Sequence, residues 1–164
     1  MPRRAAIALF LLAHTALAHP ALAQTTTAFG GITADTTAPV EVSADALSVN
    51  QGDGSATFRG NVVIAQGEMR LGADSVTVIY AAGGQQKISR LTATGGVTLV
   101  SGEDAAEAQE AVYDVVAGNV TLKGDVMLTQ GSNLLAGESM VVNLADGTAT
   151  VQGRVRSVIQ PGGN

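Results

Sequence analysis

Residues 119–131 read NVTLKGDVMLTQG. Val120, Leu122, Val126 and Leu128 alternate with Thr121, Lys123 and Asp125. Successive side chains of a strand point to opposite faces, so this stretch is a strand with one apolar face and one wet face. Gly124 falls in the apolar phase. A glycine there removes a side chain and permits a sharp bend.

The same punctuation recurs. Gly124-Asp125-Val126 has counterparts in Gly60-Asn61-Val62, Gly95-Gly96-Val97 and Gly153-Arg154-Val155, at spacings of 35, 29 and 29 residues. A second element precedes each one, in residues 44–49, 73–78, 108–113 and 137–142. Its opening polar residues, Asp45, Asp74, Gln109 and Glu138, are spaced 29, 35 and 29. A single six-residue insertion at 81–86 accounts for the anomaly in both series. A fixed period in both elements marks a repeat architecture. Each unit is a strand, a turn and a return strand. Turn residues stand at 51–54, 82–84, 117–119 and 145–147, and Gln66-Gly67, Ser101-Gly102 and Gln130-Gly131 join the units. Residues 103–111 are rich in Ala and Glu, but they fall within the repeat and are read as strand or turn.

The alternation defines a candidate apolar lining. In the first strands it comprises Leu47 and Val49; Val76, Val78 and Tyr80; Ala111, Tyr113 and Val115; and Met140, Val142 and Leu144. In the return strands it comprises Ala56, Phe58, Val62 and Ile64; Leu91, Ala93, Val97 and Leu99; Val120, Leu122, Val126 and Leu128; and Ala149, Val151 and Val155. The opposite phase of the return strands is largely polar, for example Thr57, Arg59, Thr92, Thr94, Gln152 and Arg156. Gly60, Gly95, Gly124 and Gly153, stacked in a column, are expected to crease the sheet along its length. The expected fold is all-β, a folded antiparallel stack with an apolar interior. Few bulky residues are available to fill it, since the chain has three Phe, two Tyr and no Trp.

The N-terminus reads as a secretory signal. Arg3 and Arg4 precede an apolar run over residues 7–18, and Ala21-Leu22-Ala23 supplies a small-x-small cleavage pattern. A membrane span needs about 20 apolar residues, and His14, His19 and Pro20 interrupt this run. Cleavage after Ala23 leaves 141 of the 164 residues, which suits one domain. The expected organisation is signal peptide 1–23, flexible segment 24–39, β domain 40–160 and tail 161–164. With no Cys in the mature chain there is no lipoprotein anchor, so a soluble exported protein is expected.

Removing the signal sharpens the chemistry. Arg3 and Arg4 leave with it, so seven of nine basic residues face 14 acidic ones. Nucleic acid is an unfavourable partner for such a chain. Both histidines leave as well, and the protein has no Cys. Histidine-based nucleophiles, ordinary zinc sites and disulfides are therefore excluded, and no catalytic residue, cofactor or metal site is expected. Asp45, Asp74 and Glu138 recur at strand starts as turn or edge devices rather than as acid-base groups. No loop clusters enough oxygens for calcium.

Together, the Ala-Asp-x-x-x-Val, Gly-x-Val and Gln-Gly pattern and the leader resemble the OstA-like domain family of lipopolysaccharide-transport protein A, over residues 42–160. The resemblance implies a β-jellyroll open along one side, with lipid A acyl chains in its apolar groove. It also implies head-to-tail self-association into a periplasmic bridge. The partners would be an inner-membrane lipopolysaccharide-transport protein C type component and the N-terminal domain of the outer-membrane translocon. The soluble middle component fits best, because this chain offers neither a retained anchor nor a large barrel. The family usually offers basic residues to lipid phosphates. Here the positives are few (Arg59, Arg70, Lys87, Arg90, Lys123, Arg154 and Arg156), so the tails are expected to dominate binding. The alternative is an exported structural or adhesive β-repeat protein that forms fibres without lipid. A carboxylate-only glycosidase on a β-solenoid ranks lower, as no aromatic sugar platform is visible.

Overall fold

The alternating stretches form ten strands: β1 (Glu41–Ser43), β2 (Ala46–Asn50), β3 (Ser55–Gln66), β4 (Met69–Tyr80), β5 (Ile88–Ser101), β6 (Asp104–Asp114), β7 (Asn119–Gln130), β8 (Asn133–Asn143), β9 (Ala149–Gln152) and β10 (Arg156–Val158). The computed structural model describes residues 31–81 and 87–160. Residues 1–30, which hold the expected signal peptide, part of the inserted loop and the tail 161–164 lie outside the described residues. The Ala- and Glu-rich segment 103–111 falls almost wholly within strand β6.

All strands belong to one antiparallel sheet in the order β1-β3-β4-β5-β6-β7-β8-β10. The short β2 also pairs with β3, and β9 with β8. The connections are therefore a meander of adjacent hairpins. The six long strands carry the body, and a half-length pair finishes each edge.

The crease has a specific backbone cause. Gly60 and Asn61 lie opposite the single residue Asp74, Gly95 and Gly96 opposite Gln109, and Gly124 and Asp125 opposite Glu138. Two residues against one is a β-bulge, which bends and twists the strand that holds it. Each of these bulges begins on a left-handed glycine, with φ of 76° at Gly60, 85° at Gly95 and 80° at Gly124; Gly153, between β9 and β10, is left-handed too, with φ of 77°. The following residues, Asn61, Asp125 and Arg154, are left-handed too, with φ of 46°, 48° and 39°. The polar residue that opens each unit packs against the bulge glycine. A Cβ on Gly60 would lie 2.5 Å from Asp45 Oδ2, and one on Gly153 would lie 2.6 Å from Glu138 Oε2. Three of them, Asp45, Gln109 and Glu138, also bond the residue after the glycine. Asn61 Nδ2 donates to Asp45 Oδ2 at 2.7 Å, Gln109 Nε2 to Asp125 Oδ2 at 2.7 Å, and Arg154 Nε to Glu138 Oε1 at 2.9 Å. The recurring carboxylates therefore brace the crease.

The bulge also resets the side-chain phase. Return strands gain one residue at the crease and keep their inward parity, as in Leu122 and Val126 of β7. First strands do not, so their parity flips. In β4, Val76 and Val78 are buried above the crease, and Met69 and Leu71 below it. In β6 the pairs are Ala111 with Tyr113, then Ala106 with Ala108. The sheet is thereby folded into two facing halves with one apolar interior, a β-jellyroll.

Candidate functional site: an apolar trough and its mouth

The folded sheet has two rims. The upper rim holds the turns at 51–54, 115–118 and 144–148. The lower rim holds those at 67–68, 102–103 and 131–132. In a flat sheet the rims would lie one strand length apart, about 35 Å for eleven residues at ~3.3 Å each. Instead, Tyr113, at the upper end of β6, donates its hydroxyl to Oε1 of Gln66, at the lower end of β3, over 2.6 Å. Both side chains are buried. The two rims therefore come together at this contact, which marks the mouth of the candidate trough.

Most of the lining expected from alternation is brought together inside. Val62, Ile64, Val76, Val78, Leu91, Val97, Leu99, Tyr113, Leu122, Val126, Leu128, Met140, Val142 and Leu144 are all buried. Phe58, Tyr80, Val115 and Val151 are half-buried and pack on this cluster. Leu47, Val49 and Val155 differ from the rest, at 56%, 52% and 50% exposed. Leu47 and Val49 sit opposite Phe58 and Ala56 of the same face. Their strand is the last on that side, so no further unit covers them. Val155 lies at the other end, between β9 and β10.

Sequence reasoning missed part of the lining. Met69, Leu71, Ala106, Ala108 and Leu135 are buried below the crease on first strands. The signal was present as alternation in the opposite parity, which becomes readable only once each bulge is counted as two residues against one. Ile32, 3% exposed, was missed as well. It lies in the segment 24–39, which was expected to be flexible; from Gly31 onward that segment is seated along the mouth.

Buried polar side chains are confined to Gln66, Ser101 and Asp104 among the described residues. All three lie at the lower rim, and each has a partner: Gln66 the Tyr113 hydroxyl, Ser101 the Thr33 carbonyl at 2.7 Å, and Asp104 the Gln130 amide at 3.2 Å. The rest of the interior is hydrocarbon apart from the Tyr113 hydroxyl, so it offers contact area and almost no directional chemistry. Burial pushes the Tyr113 hydroxyl above the usual tyrosine pKa, and its bond to Gln66 offsets part of that rise. Beside the mouth, exposed Asp35 accepts bonds from the Thr37 hydroxyl and Thr37 N–H, which hold its carboxyl below the usual range. Several basic side chains are engaged in local bonds. Arg154 pairs with Glu138, Arg90 lies 3.8 Å from Asp114, and Arg70 donates to the Gly67 and Met69 carbonyls.

The family described as LptA/(LptD N-terminal domain) LPS transport protein matches residues 41–148. An uncharacterised protein of Rhizobium meliloti (strain 1021) is 30% identical over 126 residues, covering 73% of this chain and 68% of its own. The lipopolysaccharide export system protein LptA of Escherichia coli (strain K12) is 37% identical over 71 residues, covering 43% of this chain and 38% of its own length. Among solved structures, the fold is shared with LptH of Pseudomonas aeruginosa, described as the LptA-homologous periplasmic component of the conserved lipopolysaccharide transport device. Its TM-score is 0.69 at 23% identity, covering 78% of this chain and 99% of that one.

Proposed function

Because the chain belongs to the LptA/LptD N-terminal domain family of lipopolysaccharide transport proteins, we propose that it is a periplasmic carrier that shields lipopolysaccharide acyl chains in its trough. The observation that carries this reading is the inner face. It is apolar through every unit, from Ala56 to Val151, and among the described residues its buried polar groups, the Tyr113 hydroxyl apart, are gathered at one rim. Keeping a methylene out of water is worth roughly 0.8 kcal/mol, so a twelve-carbon chain represents on the order of 10 kcal/mol. A multi-acyl lipid cannot cross an aqueous gap at a useful rate against that cost. A hydrocarbon-lined trough removes the cost without covalent chemistry. Near-uniform lining lets the lipid slide, and direction comes from energy supplied by other components.

The ends of the stack support head-to-tail assembly. β1 and β2 finish one edge, with Leu47 and Val49 exposed. β9 and β10 finish the other, with Val155, Val158 and Ile159 exposed. Unpaired edges are templates for strand addition, and a heterologous contact of this kind propagates. In this reading a second copy, an inner-membrane C-type component and the outer-membrane translocon domain dock at these ends. The signal peptide 1–23 delivers the protein to the periplasm. No helix among the described residues is long and apolar enough to cross a membrane.

The test is extraction. Membrane vesicles containing lipopolysaccharide are incubated with the purified protein and sedimented. Lipopolysaccharide in the supernatant, bound to protein, is the expected result. Folded protein with no lipid in the supernatant contradicts the carrier and favours the fibre-forming reading.

A further inference from the structure

The mouth is crossed by a stretch of chain that forms no strand. Residues 31–40 precede β1 and touch both rims. On the upper rim, Ala34 N–H donates to the Leu144 carbonyl at 3.1 Å. On the lower rim, the Ser101 hydroxyl donates to the Thr33 carbonyl at 2.7 Å, and Gln66 Nε2 donates to the Ala38 carbonyl at 3.0 Å. Gln66 is the residue whose other amide atom takes the Tyr113 hydroxyl bond, so one side chain ties the segment to the contact that joins the rims. Ile32 inserts into the apolar cluster and is 3% exposed, while Thr33 and Asp35 to Thr37 are exposed.

We propose that residues 31–40 are a displaceable strap that closes the trough in the empty protein and gives way to an entering acyl chain. The inference rests on the carrier reading above and names the step that opens it. The strap is held by a handful of hydrogen bonds, the buried Ile32 and the half-buried Ala34 and Val40, whereas the walls are held by full strand ladders. It is therefore the weakest part of the seal. Segments with few buried apolar contacts are the ones that open first. Ile32 occupies the trough as a short substitute for lipid hydrocarbon. An acyl chain covers far more of the same lining and so outcompetes it. The empty carrier meanwhile hides an apolar face that would otherwise invite aggregation. A closed strap lowers apparent lipid affinity by the fraction of molecules that are open.

A disulfide tests this directly, since the protein has no cysteine of its own. A Cβ built on Gly67 lies 3.3 Å from the Cβ of Asp35, close to the ~3.5–4.5 Å that disulfides span. The double variant Asp35→Cys/Gly67→Cys pins the strap to the lower rim when oxidised and frees it when reduced. Purified lipopolysaccharide is titrated against both forms. Oxidation is expected to weaken binding by at least roughly tenfold, with full recovery on reduction. Equal binding by the two forms overturns the strap and leaves the carrier standing. Folded wild type and reduced variant that bind no lipopolysaccharide overturn the carrier and the strap together. Hydrogen exchange on the wild type needs no engineered bond. Lipopolysaccharide should abolish protection of the Ala34 amide while protecting the strands, and bound lipid with Ala34 still protected overturns the strap. Ile32→Ser adds a third readout, expected to load lipid roughly tenfold more tightly or faster than wild type; unchanged loading by the folded variant counts against it.

Discussion

Gly95 and Gly96 are adjacent, both left-handed, and should respond in opposite directions to mutation. Their φ values are 85° and 67°. A Cβ on Gly95 would lie 2.6 Å from both Cβ and Oδ2 of Asp74 and 2.9 Å from its Cγ, whereas a Cβ on Gly96 meets nothing within 4 Å. Gly95→Ala therefore combines a left-handed alanine, about 1–2 kcal/mol, with an overpacked contact of similar cost, for a total of about 2–4 kcal/mol. Gly96 occupies the position held by Asn61, Asp125 and Arg154 in the other units, where the side chain bonds the bracing residue. Asp74 has no such partner among the described residues. Gly96→Asn restores one and restricts the unfolded chain, a gain of about 0.5–1 kcal/mol. Thermal unfolding followed by circular dichroism reads both. Gly95→Ala should lower Tm by roughly 6–15 °C, and Gly96→Asn should raise it by roughly 2–5 °C. Shifts of equal size and sign in the two variants would refute the bulge-and-brace account of the crease.

Other expected outcomes concern the interior and its mouth. Leu122→Ala, at a fully buried position between Ala111 and Met140, should cost about 2–5 kcal/mol in urea unfolding. Tyr113→Phe leaves the buried Gln66 oxygen without its donor and should cost about 1–3 kcal/mol. The Tyr113 hydroxyl holds its proton more tightly folded than unfolded, so its contribution to stability is complete below the ordinary tyrosine pKa of 10 and is lost as pH rises beyond it. Wild type should therefore lose stability above pH 10 more steeply than Tyr113→Phe, measured as Tm against pH. Glu138→Gln removes the exposed pair with Arg154 and should change stability by less than about 1 kcal/mol.

The repeat was legible because its punctuation is backbone chemistry. A bulge that begins on a left-handed residue favours glycine, so Gly60, Gly95, Gly124 and Gly153 remain visible while the residues between them drift. Return strands keep one parity throughout, so Leu91, Val97 and Leu99 could be read straight from the sequence. First strands change parity at the crease, and this hid Met69, Leu71 and Ala106. Alternation assigns a face but not the cover over it, which is why Leu47 and Val155 share the inner phase and yet stand exposed at the ends. The mouth was illegible for a different reason. Gln66 and Tyr113 are 47 positions apart and meet only after the sheet folds. Ile32 sits alone in a Thr- and Ala-rich segment with no periodicity to mark it.

The central claim is that the inner face carries lipid. Photo-crosslinking in living cells tests it most directly, with a photoreactive phenylalanine analogue placed at Phe58 or Tyr80, which face inward and are half-buried, and at Thr57 or Thr77, which share the outer face and approach each other at 3.4 Å. Lipopolysaccharide adducts at Phe58 and Tyr80, and none at Thr57 or Thr77, are the predicted result. Folded, abundant protein without adducts at the inward positions, or with equal adducts on both faces, would contradict it.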